Sequence, residues 1–406
     1  MTEIQPTPFL IRSFPLYAFV VWASYGIYST GLIGAGPLFP TIASDLGLTP
    51  LQLGVITAAL PLGMVPSLYG GALSDRIGRK RGMGIGYAVE ALGLFSLSFS
   101  NNFLAALFSL LVAGLGASMF NPAANSAASD LFPARKGFAL NILHVFFGVG
   151  AMIGPLISGA IVNFLGSWRL GFQVFSLLVA VTIIPILTVP TGLPPPSRRR
   201  PLEGAMMVIR SKVILFLSLA TFLQLAAEYG IGMWLVYFFL DFRGFTVMES
   251  SIILGSMGGT FIPGRLFWSK YVDRIGYVNT LGLCAVLSST LLAISLLSPS
   301  LTLTMIIFPA ASFFISATIP AGLAMAVSEF PKASGAAIGA LYLSGAVGGA
   351  LGPFTVGAVS EASTTLLGIL TIPLFLAIIT VVALGLRSAG VKKYVELPSP
   401  PVKGVE

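Results

Sequence analysis

Stretches of about 20 apolar residues recur along the whole chain, and they limit the possible folds more than any other feature. A helix of that length crosses the hydrocarbon core of a bilayer, where backbone groups must bond within their own segment. The alternating polarity of β-barrel strands does not occur in these stretches. Only 9% of the residues are charged, against roughly 25% in globular domains. We therefore predict an all-α membrane protein.

The apolar stretches predict twelve transmembrane helices, arranged as two pseudo-symmetric six-helix bundles. The spans fall near residues 14–39, 51–74, 82–100, 103–128, 138–165, 170–189, 213–240, 251–272, 278–297, 301–327, 333–359 and 364–386. Residues 1–189 would form the N-terminal bundle and 213–387 the C-terminal bundle. Between them, 190–212 would be a cytoplasmic linker with a short surface helix near 202–213, and 388–406 a cytoplasmic tail.

A constant spacing of 198 residues relates the two halves. The motif Gly-x₃-Gly-Pro occurs at residues 150–155 in span five and again at 348–353 in span eleven. Likewise, Asp-Arg-Ile-Gly occurs at 75–78 and at 273–276. Two bundles repeated in the same orientation are related by an axis along the membrane normal, and a ligand site is expected near the midplane of their interface.

Lys and Arg are strongly biased to one side of the predicted helices. With both termini on the same side, 19 of the 22 fall there, Arg169 and Arg243 fall opposite, and Arg265 lies within a span. Positive residues mark the cytoplasmic side, so both termini are predicted to be cytoplasmic, in the cell membrane. This bias explains the net charge of +8 without nucleic acid. One cysteine, Cys284, and one histidine, His144, cannot by themselves build a metal site, so no metal, cofactor or enzymatic activity is expected.

The connection between spans two and three carries a recognisable motif. It reads Gly-x-Leu-x-Asp-Arg-x-Gly-Arg-Lys from Gly71 to Lys80. This pattern resembles the signature loop of the major facilitator superfamily, and the resemblance extends over nearly the whole chain. It implies a secondary transporter that moves a small molecule across the bilayer by alternating access. We expect it to act as a monomer.

Two further stretches are similar to the fucose–galactose–glucose:proton symporter group. They are residues 140–155 in span five, and Glu228-Tyr229-Gly230 with Trp234 in span seven. Gly264-Arg265-Leu266 in span eight is similar as well. Helices one and four lack the proton-linked carboxylates of that group's fucose permease, which leaves the substrate and the coupling ion open. The expected function is proton-coupled transport of a small polar organic solute, for example a sugar.

Glu228 is the most informative single residue. It lies about 22 Å along span seven, where an ionised carboxylate is costly and usually functional. Gln224 lies one turn earlier on the same face. We expect Glu228 to take part in proton coupling or substrate binding; the alternative is a structural hydrogen bond between two helices.

Other polar and aromatic residues are candidates for the cavity wall. Asn121 and Asn125 straddle a proline in span four, and their amides suit a hydroxylated substrate. Tyr25, Tyr28 and Trp234 are predicted as aromatic walls, with ordinary packing as the alternative.

Span five and two isolated charges supply the remaining candidates. Asn141 and His144 share a face of span five. The family resemblance implies a gating or proton-relay role for His144, against a buried structural one. Glu90 and Arg265 are expected to be structural, although they could pair across the halves. Arg265 could also extend toward Asp273, about 12 Å further along the helix.

The charged loop itself is predicted to act as a conformational latch. Asp75 would lie at the N-terminus of span eleven, where the helix dipole favours an anion, and Arg76 would pair with Asp130. The alternative is a cluster of positive charge that only sets topology. The predicted latch comprises Gly71, Asp75, Arg76, Gly78, Arg79 and Asp130, with Asp273 and Arg274 as the weaker copy in the second half.

Two other functions remain open. Span five also resembles the fifth helix of proton-coupled drug antiporters, although Ser158 replaces one glycine of that motif. This keeps proton-driven efflux of a drug-like or amphipathic compound as an alternative. A transporter-like sensor without turnover is a third possibility.

Overall fold

The structure is a computed structural model that describes residues 8–133, 135–193, 208, 210–330 and 334–388, with side chains except at 8–15, 273 and 334–336. Within these ranges the regular elements are helices. They form twelve spans as predicted, with a 3-10 turn, Gly36–Leu38, and a short helix, Phe39–Asp45, between spans one and two. The spans are Pro8–Gly34, Pro50–Gly63 with Ser67–Ile77, Arg79–Leu97, Phe103–Leu131, Lys136–Leu165, Trp168–Thr188, Lys212–Phe238, Val247–Ile275, Tyr277–Leu297, Leu301–Glu329, Ser334–Ala362 and Thr365–Ser388.

Ten of the twelve spans are long and apolar enough to cross a bilayer. The other two are spans three and eight, which carry more charge. Span three begins at Arg79 and encloses Glu90, and span eight contains Glu249 and Arg265. Most of the surface-helix segment predicted near 202–213 lies outside the described residues.

Span two is two helices rather than one. The first ends at Gly63 and the second begins at Ser67, with Pro66 in the turn between them. Pro66 has no N–H to continue the helical hydrogen bonds, which is consistent with a break at this position. Span seven ends in a π-helical turn, Phe239–Arg243.

The 198-residue repeat is visible in how the helices pack. A Cβ atom added at Gly154 of span five would lie 2.3 Å from the carbonyl oxygen of Thr30 in span one. In the second half, a Cβ atom at Gly352 of span eleven would lie 2.0 Å from the carbonyl oxygen of Ala226 in span seven. Only glycine allows helices to approach this closely. Spans one and five therefore pack as spans seven and eleven do, with an offset of 196 residues between spans one and seven.

The repeated loops also share their backbone. Gly78 and Gly276 precede spans three and nine with φ values of 97° and 87°. These positive φ values favour glycine, which explains why both copies of the motif end in that residue.

The halves meet along two seams, between spans five and eight and between spans two and eleven. A Cβ atom at Gly258 of span eight would lie 2.4 Å from the backbone nitrogen of Met152 in span five. At Gly54 of span two it would lie 3.0 Å from the Cα of Gly357 in span eleven. Both seams are thus lined by small residues that let the two backbones touch.

The two ends of the bundle differ. We call the end that contains Asp45 the Asp45 end and the end that contains Asp75 the Asp75 end. At the Asp45 end the halves are in direct contact: a Cβ atom at Gly36 would lie 2.2 Å from the carbonyl oxygen of Gly232. Nearby, the backbone N–H of Leu51 donates to Glu361 at 3.3 Å. These contacts close the Asp45 end.

Candidate functional site

A cavity of about 400 Å³ lies between the two halves, within the size range of small-molecule sites. It extends from Ile33 of span one to Ser67 and Ser126, which lie nearer the Asp75 end. Its wall combines aromatic and aliphatic side chains with a few polar groups. The polar and aromatic lining residues are Tyr25, Tyr28, Ser67, Asn121, Asn125, Ser126, His144, Phe147, Glu228, Tyr229, Phe261, Arg265 and Tyr342.

Three of the predicted polar residues form a hydrogen-bonded cluster on the N-terminal half. The Asn125 amide donates to the side-chain oxygen of Asn121 at 2.9 Å and to the hydroxyl of Tyr25 at 3.3 Å. The Tyr25 hydroxyl donates to the same Asn121 oxygen at 3.3 Å. Span four runs unbroken from Phe103 to Leu131 through its proline, so both amides sit on one continuous helix. The cluster presents amide and hydroxyl groups to the cavity.

Glu228 lies opposite, on span seven of the C-terminal half. Its Oε1 accepts a hydrogen bond from the Gln224 amide at 2.8 Å, and that amide also donates to the carbonyl of Ile315 at 3.3 Å. Gln224 is fully buried, behind the cavity wall rather than in it. Among the described residues Glu228 forms no ion pair. The carboxylate therefore faces the cavity with one neutral partner.

Arg265 is the one cation of the described cavity wall, on span eight. Its guanidinium donates to the backbone carbonyl of His144 at 3.2 Å, across the seam between the halves, and lies 5.1 Å from the ring of Phe261. The sequence predicts a structural role for Arg265, or a pair with Glu90 across the halves. Instead, Glu90 is buried within the N-terminal half, with Oε2 unpartnered, and forms no ion pair in the described part of the chain.

Other candidates from the sequence are divided between the cavity and the packing around it. Tyr28 and His144 line the cavity, and the ring of His144 packs against Tyr25 with 5.7 Å between centroids. Trp234 is fully buried against Tyr237 and is absent from the wall. Asn141 is exposed, away from the cavity.

Sequence reasoning missed two tyrosines of the cavity wall. The hydroxyl of Tyr229 lies 3.6 Å from the sulfur of Met64, so it links span seven to span two. Tyr342 of span eleven lines the cavity where His144 of span five does in the other half. The 198-residue spacing separates these two positions, so the repeat itself could have indicated Tyr342.

The charged loop forms ion pairs, but not the pair predicted. The cation that meets Asp130 is Arg79, with 3.2 Å between Nε and Oδ2, and Arg79 also pairs with Asp75. The prediction of Arg76 is wrong because Arg76 is exposed at the last turn of its helix. Arg79 opens span three directly after the turn at Gly78, which places it between the two carboxylates.

The remaining latch contacts are only partly described. The side chains at 334–336, which begin span eleven, and that of Asp273 lie outside the described residues, so the position of Asp75 at that helix end stays a prediction. Arg274 lies over the ring of Tyr271, with 6.0 Å to the centroid. A Cβ atom at Gly71 would lie 3.4 Å from Pro122, so span two passes close to span four there.

Solved structures with the same fold are transporters. A bacterial homologue of the human lysosomal transporter Spinster, in an inward-facing and unoccupied conformation, matches with a TM-score of 0.76 and 16% identity, over 97% of this chain and 100% of that chain. A mutant of the nucleoside transporter NupG matches with a TM-score of 0.76 and 15% identity, over 93% and 99%. At these identities the structures show the fold alone.

Relatives and a family model match the sequence itself. The riboflavin transporter RibZ of Clostridioides difficile (strain 630) is 31% identical over 159 residues, 39% of this chain and 34% of RibZ. The quinolone resistance protein NorA of Staphylococcus aureus is 29% identical over 143 residues, 35% of this chain and 37% of NorA. The matched stretch spans about a third of these curated relatives. The Major Facilitator Superfamily model matches residues 21–353, most of the chain. This chain therefore belongs to the Major Facilitator Superfamily.

Proposed function

We propose that this protein is a secondary active transporter that couples the movement of a small polar organic solute to protons. It would act as a monomer in the cell membrane with both termini cytoplasmic. The observation that carries the proposal is the cavity between the halves, closed at the Asp45 end, which holds Glu228 on one side and the Tyr25–Asn121–Asn125 cluster on the other. Family membership supports alternating access as the mechanism.

The surroundings of Glu228 support the proton as the coupling ion. The groups near enough to act on it electrostatically are Arg265 of span eight, Tyr229 on its own helix and Tyr342 of span eleven. None of these forms an ion pair with it in the described part of the chain. An unpaired carboxylate is costly to enclose away from water, so sealing the cavity favours the protonated form. The proton would then leave when the cavity opens to the other side.

The polar cluster supports a hydroxylated solute. Two amides and a phenol converge on one part of the wall, and together they can donate and accept hydrogen bonds. A sugar offers hydroxyl groups that do both, which agrees with the motif resemblance to the sugar:proton symporter group. The flat faces of Tyr25, Tyr28 and Phe147 could cover the apolar side of such a solute.

Uptake into proteoliposomes tests the coupling. The purified chain is reconstituted and offered a panel of radiolabelled sugars, sugar acids and nucleosides, with and without a pH gradient. We expect wild type to accumulate a solute only with the gradient. Glu228→Gln should lose accumulation yet retain solute exchange at equal concentrations, because the amide keeps the shape and loses the proton.

Glu249→Gln is the matched control. Glu249 closes the capping box at the start of span eight, outside the cavity, and glutamine fills the same role at position 52. This variant should transport as wild type does. Full proton-driven accumulation by Glu228→Gln would refute coupling through Glu228, and absence of turnover with any solute in wild type would favour a sensor.

Efflux is the second candidate. Phe147, Met257, Phe261 and Ile319 give the cavity an apolar side, and NorA, a relative, is named for quinolone resistance. Proton-driven extrusion of an amphipathic dye or a fluoroquinolone, with no accumulation of the polar panel, would favour this alternative over uptake.

A further inference from the structure

We infer that the transported solute carries an acidic group, a carboxylate or a phosphate, and that Arg265 binds it. The inference rests on the proposed transport function and names the chemistry of its substrate. It depends on the unused hydrogen-bonding capacity of Arg265 and on the groups that surround it.

Arg265 makes little use of its guanidinium within the protein. Of the five N–H donors of an arginine, one bonds to the carbonyl of His144, and the side chain forms no ion pair with any described residue. Arginine remains charged at all relevant pH values, and a cation held at membrane depth requires a compensating anion. Glu228 is the one described carboxylate that acts on Arg265, and the two form no ion pair. The side chain is half-buried and lines the cavity, so an anion that pairs with it directly must come from the cavity.

Arg243 shows that this arrangement is not general for the C-terminal half. Its guanidinium also donates to one backbone carbonyl, that of Leu296, at 2.6 Å. However, Arg243 lies at the Asp45 end, in the π-helical turn that ends span seven, and does not line the cavity. The two arginines therefore share their backbone contact and differ in whether a solute can reach them.

The groups around Arg265 come from spans one, five, seven, eight and eleven. Tyr25 of span one and Tyr342 of span eleven are close enough to act on the guanidinium electrostatically. The Tyr342 hydroxyl can donate to a carboxylate or phosphate oxygen, whereas that of Tyr25 donates to Asn121. His144 of span five holds the guanidinium through its backbone carbonyl, and the ring of Phe261 lies beside it. Glu228 of span seven is the one described carboxylate that also acts on it.

Glu228 links this subsite to the proton. When Glu228 is ionised, its charge attracts the guanidinium and repels an incoming anion within the same enclosed space. A proton on Glu228 removes that repulsion and leaves Arg265 to the solute. Solute anion and proton would therefore bind together, and one monoanion with one proton moves no net charge.

The polar cluster of the N-terminal half, which approaches Arg265 through Tyr25, restricts the chemistry of the solute further. The Tyr25–Asn121–Asn125 cluster offers amide and hydroxyl groups to the part of the solute that Arg265 does not hold. A small acid with hydroxyl groups, such as a sugar acid or a sugar phosphate, could bind Arg265 through its acidic group and the polar cluster through its hydroxyl groups.

Matched pairs of acid and neutral compound test the inference by binding. Purified full-length protein in detergent is titrated with gluconate, glucose 6-phosphate and glucose, and with benzoate and benzamide, while thermal unfolding is followed. We expect at least one acid to stabilise wild type and to bind about tenfold or more tighter than its neutral partner, since a hydrogen bond to a charged group is strong. Comparing the binding of gluconate with that of glucose 6-phosphate shows whether Arg265 prefers a carboxylate or a phosphate.

Variants then assign the preference to one side chain. Arg265→Gln should bind acid and neutral compound equally, Arg265→Lys should keep part of the preference, and Arg243→Gln should keep all of it. The inference is overturned if wild type shows no preference for any acid, or if Arg265→Gln retains it. The wild-type comparison needs no variant, so a poorly folded Arg265→Gln protein does not remove the test.

Transport separates this inference from the proposed coupling. If wild type prefers acids but uptake ignores the pH gradient, proton coupling fails and the anion subsite stands. If the gradient drives uptake of neutral compounds in preference to acids, the anion subsite fails alone. Uptake of a monoanion should also be unaffected by a valinomycin-imposed membrane potential, and a potential-driven change would contradict paired movement with one proton.

Discussion

The contact that closes the Asp45 end can be tested with a single methyl group. Gly36 lies between spans one and two, and a Cβ atom there would lie 2.2 Å from the carbonyl oxygen of Gly232 and 2.9 Å from a methyl carbon of Leu254. The leucine can rotate away. The carbonyl belongs to the backbone of span seven, so it can withdraw only if the two halves separate.

The size of the effect follows from that distance. Ordinary contacts begin at 3.4 Å, so the added carbon in Gly36→Ala falls 1.2 Å short of the room it needs. Overpacking of this kind typically costs about 1–3 kcal/mol. The cost applies to the conformation closed at the Asp45 end and is relieved where that end opens. The population ratio should therefore shift about 5- to 150-fold toward the conformation open at the Asp45 end.

Distances between spin labels measure this shift. Ser44 and Ala362 are exposed at the Asp45 end, one in each half, and Cys284 is buried and so competes little for the label. In Gly36→Ala the distance distribution between labels at 44 and 362 should move to longer values. Gly322→Ala is the control, because its Cβ atom would meet nothing within 4 Å. An unchanged distribution in Gly36→Ala would refute the closing role of this contact.

Two further predictions concern the loop and the cavity. Asp130→Asn should lower the free energy of unfolding by up to about 1 kcal/mol, as for other partly exposed ion pairs. Arg76→Gln should leave the free energy of unfolding unchanged. Equal losses in the two variants would contradict the assignment of Arg79 as the partner of Asp130. Tyr25→Phe removes the hydroxyl shared with Asn121 and Asn125 and should raise the KM for uptake about threefold to tenfold; an unaltered KM would place the solute elsewhere.

Most of the fold could be predicted because a bilayer leaves few alternatives. Apolar length fixed the spans to within a few residues, although span one begins at Pro8 rather than near Phe14. The 198-residue spacing predicted the two halves and fits the matching backbone at Gly78 and Gly276. The break in span two depends on a local turn at Pro66, which hydropathy does not register.

The site could be predicted only in part, because helical faces cannot be read from an evenly apolar sequence. Asn121, Asn125 and Glu228 were recognisable since polar groups are costly in a membrane. Whether a residue faces the cavity depends on how two halves pack, and no local pattern records this. Trp234 therefore lies within the packing, while Arg265 faces the cavity.

The equivalent packing of spans one and seven shows how the two repeated halves of the chain differ from each other. The offset of 196 residues between Thr30 and Ala226 pairs Leu32 with Glu228, and both line the cavity. One ancestral position thus holds an aliphatic side chain in the first copy and a carboxylate in the second. Glycines that hold the helices together were kept in both copies, while the positions facing the cavity were free to specialise. Exchanging the order of the two halves would preserve the helix packing and move the Glu228 carboxylate to the first half of the chain.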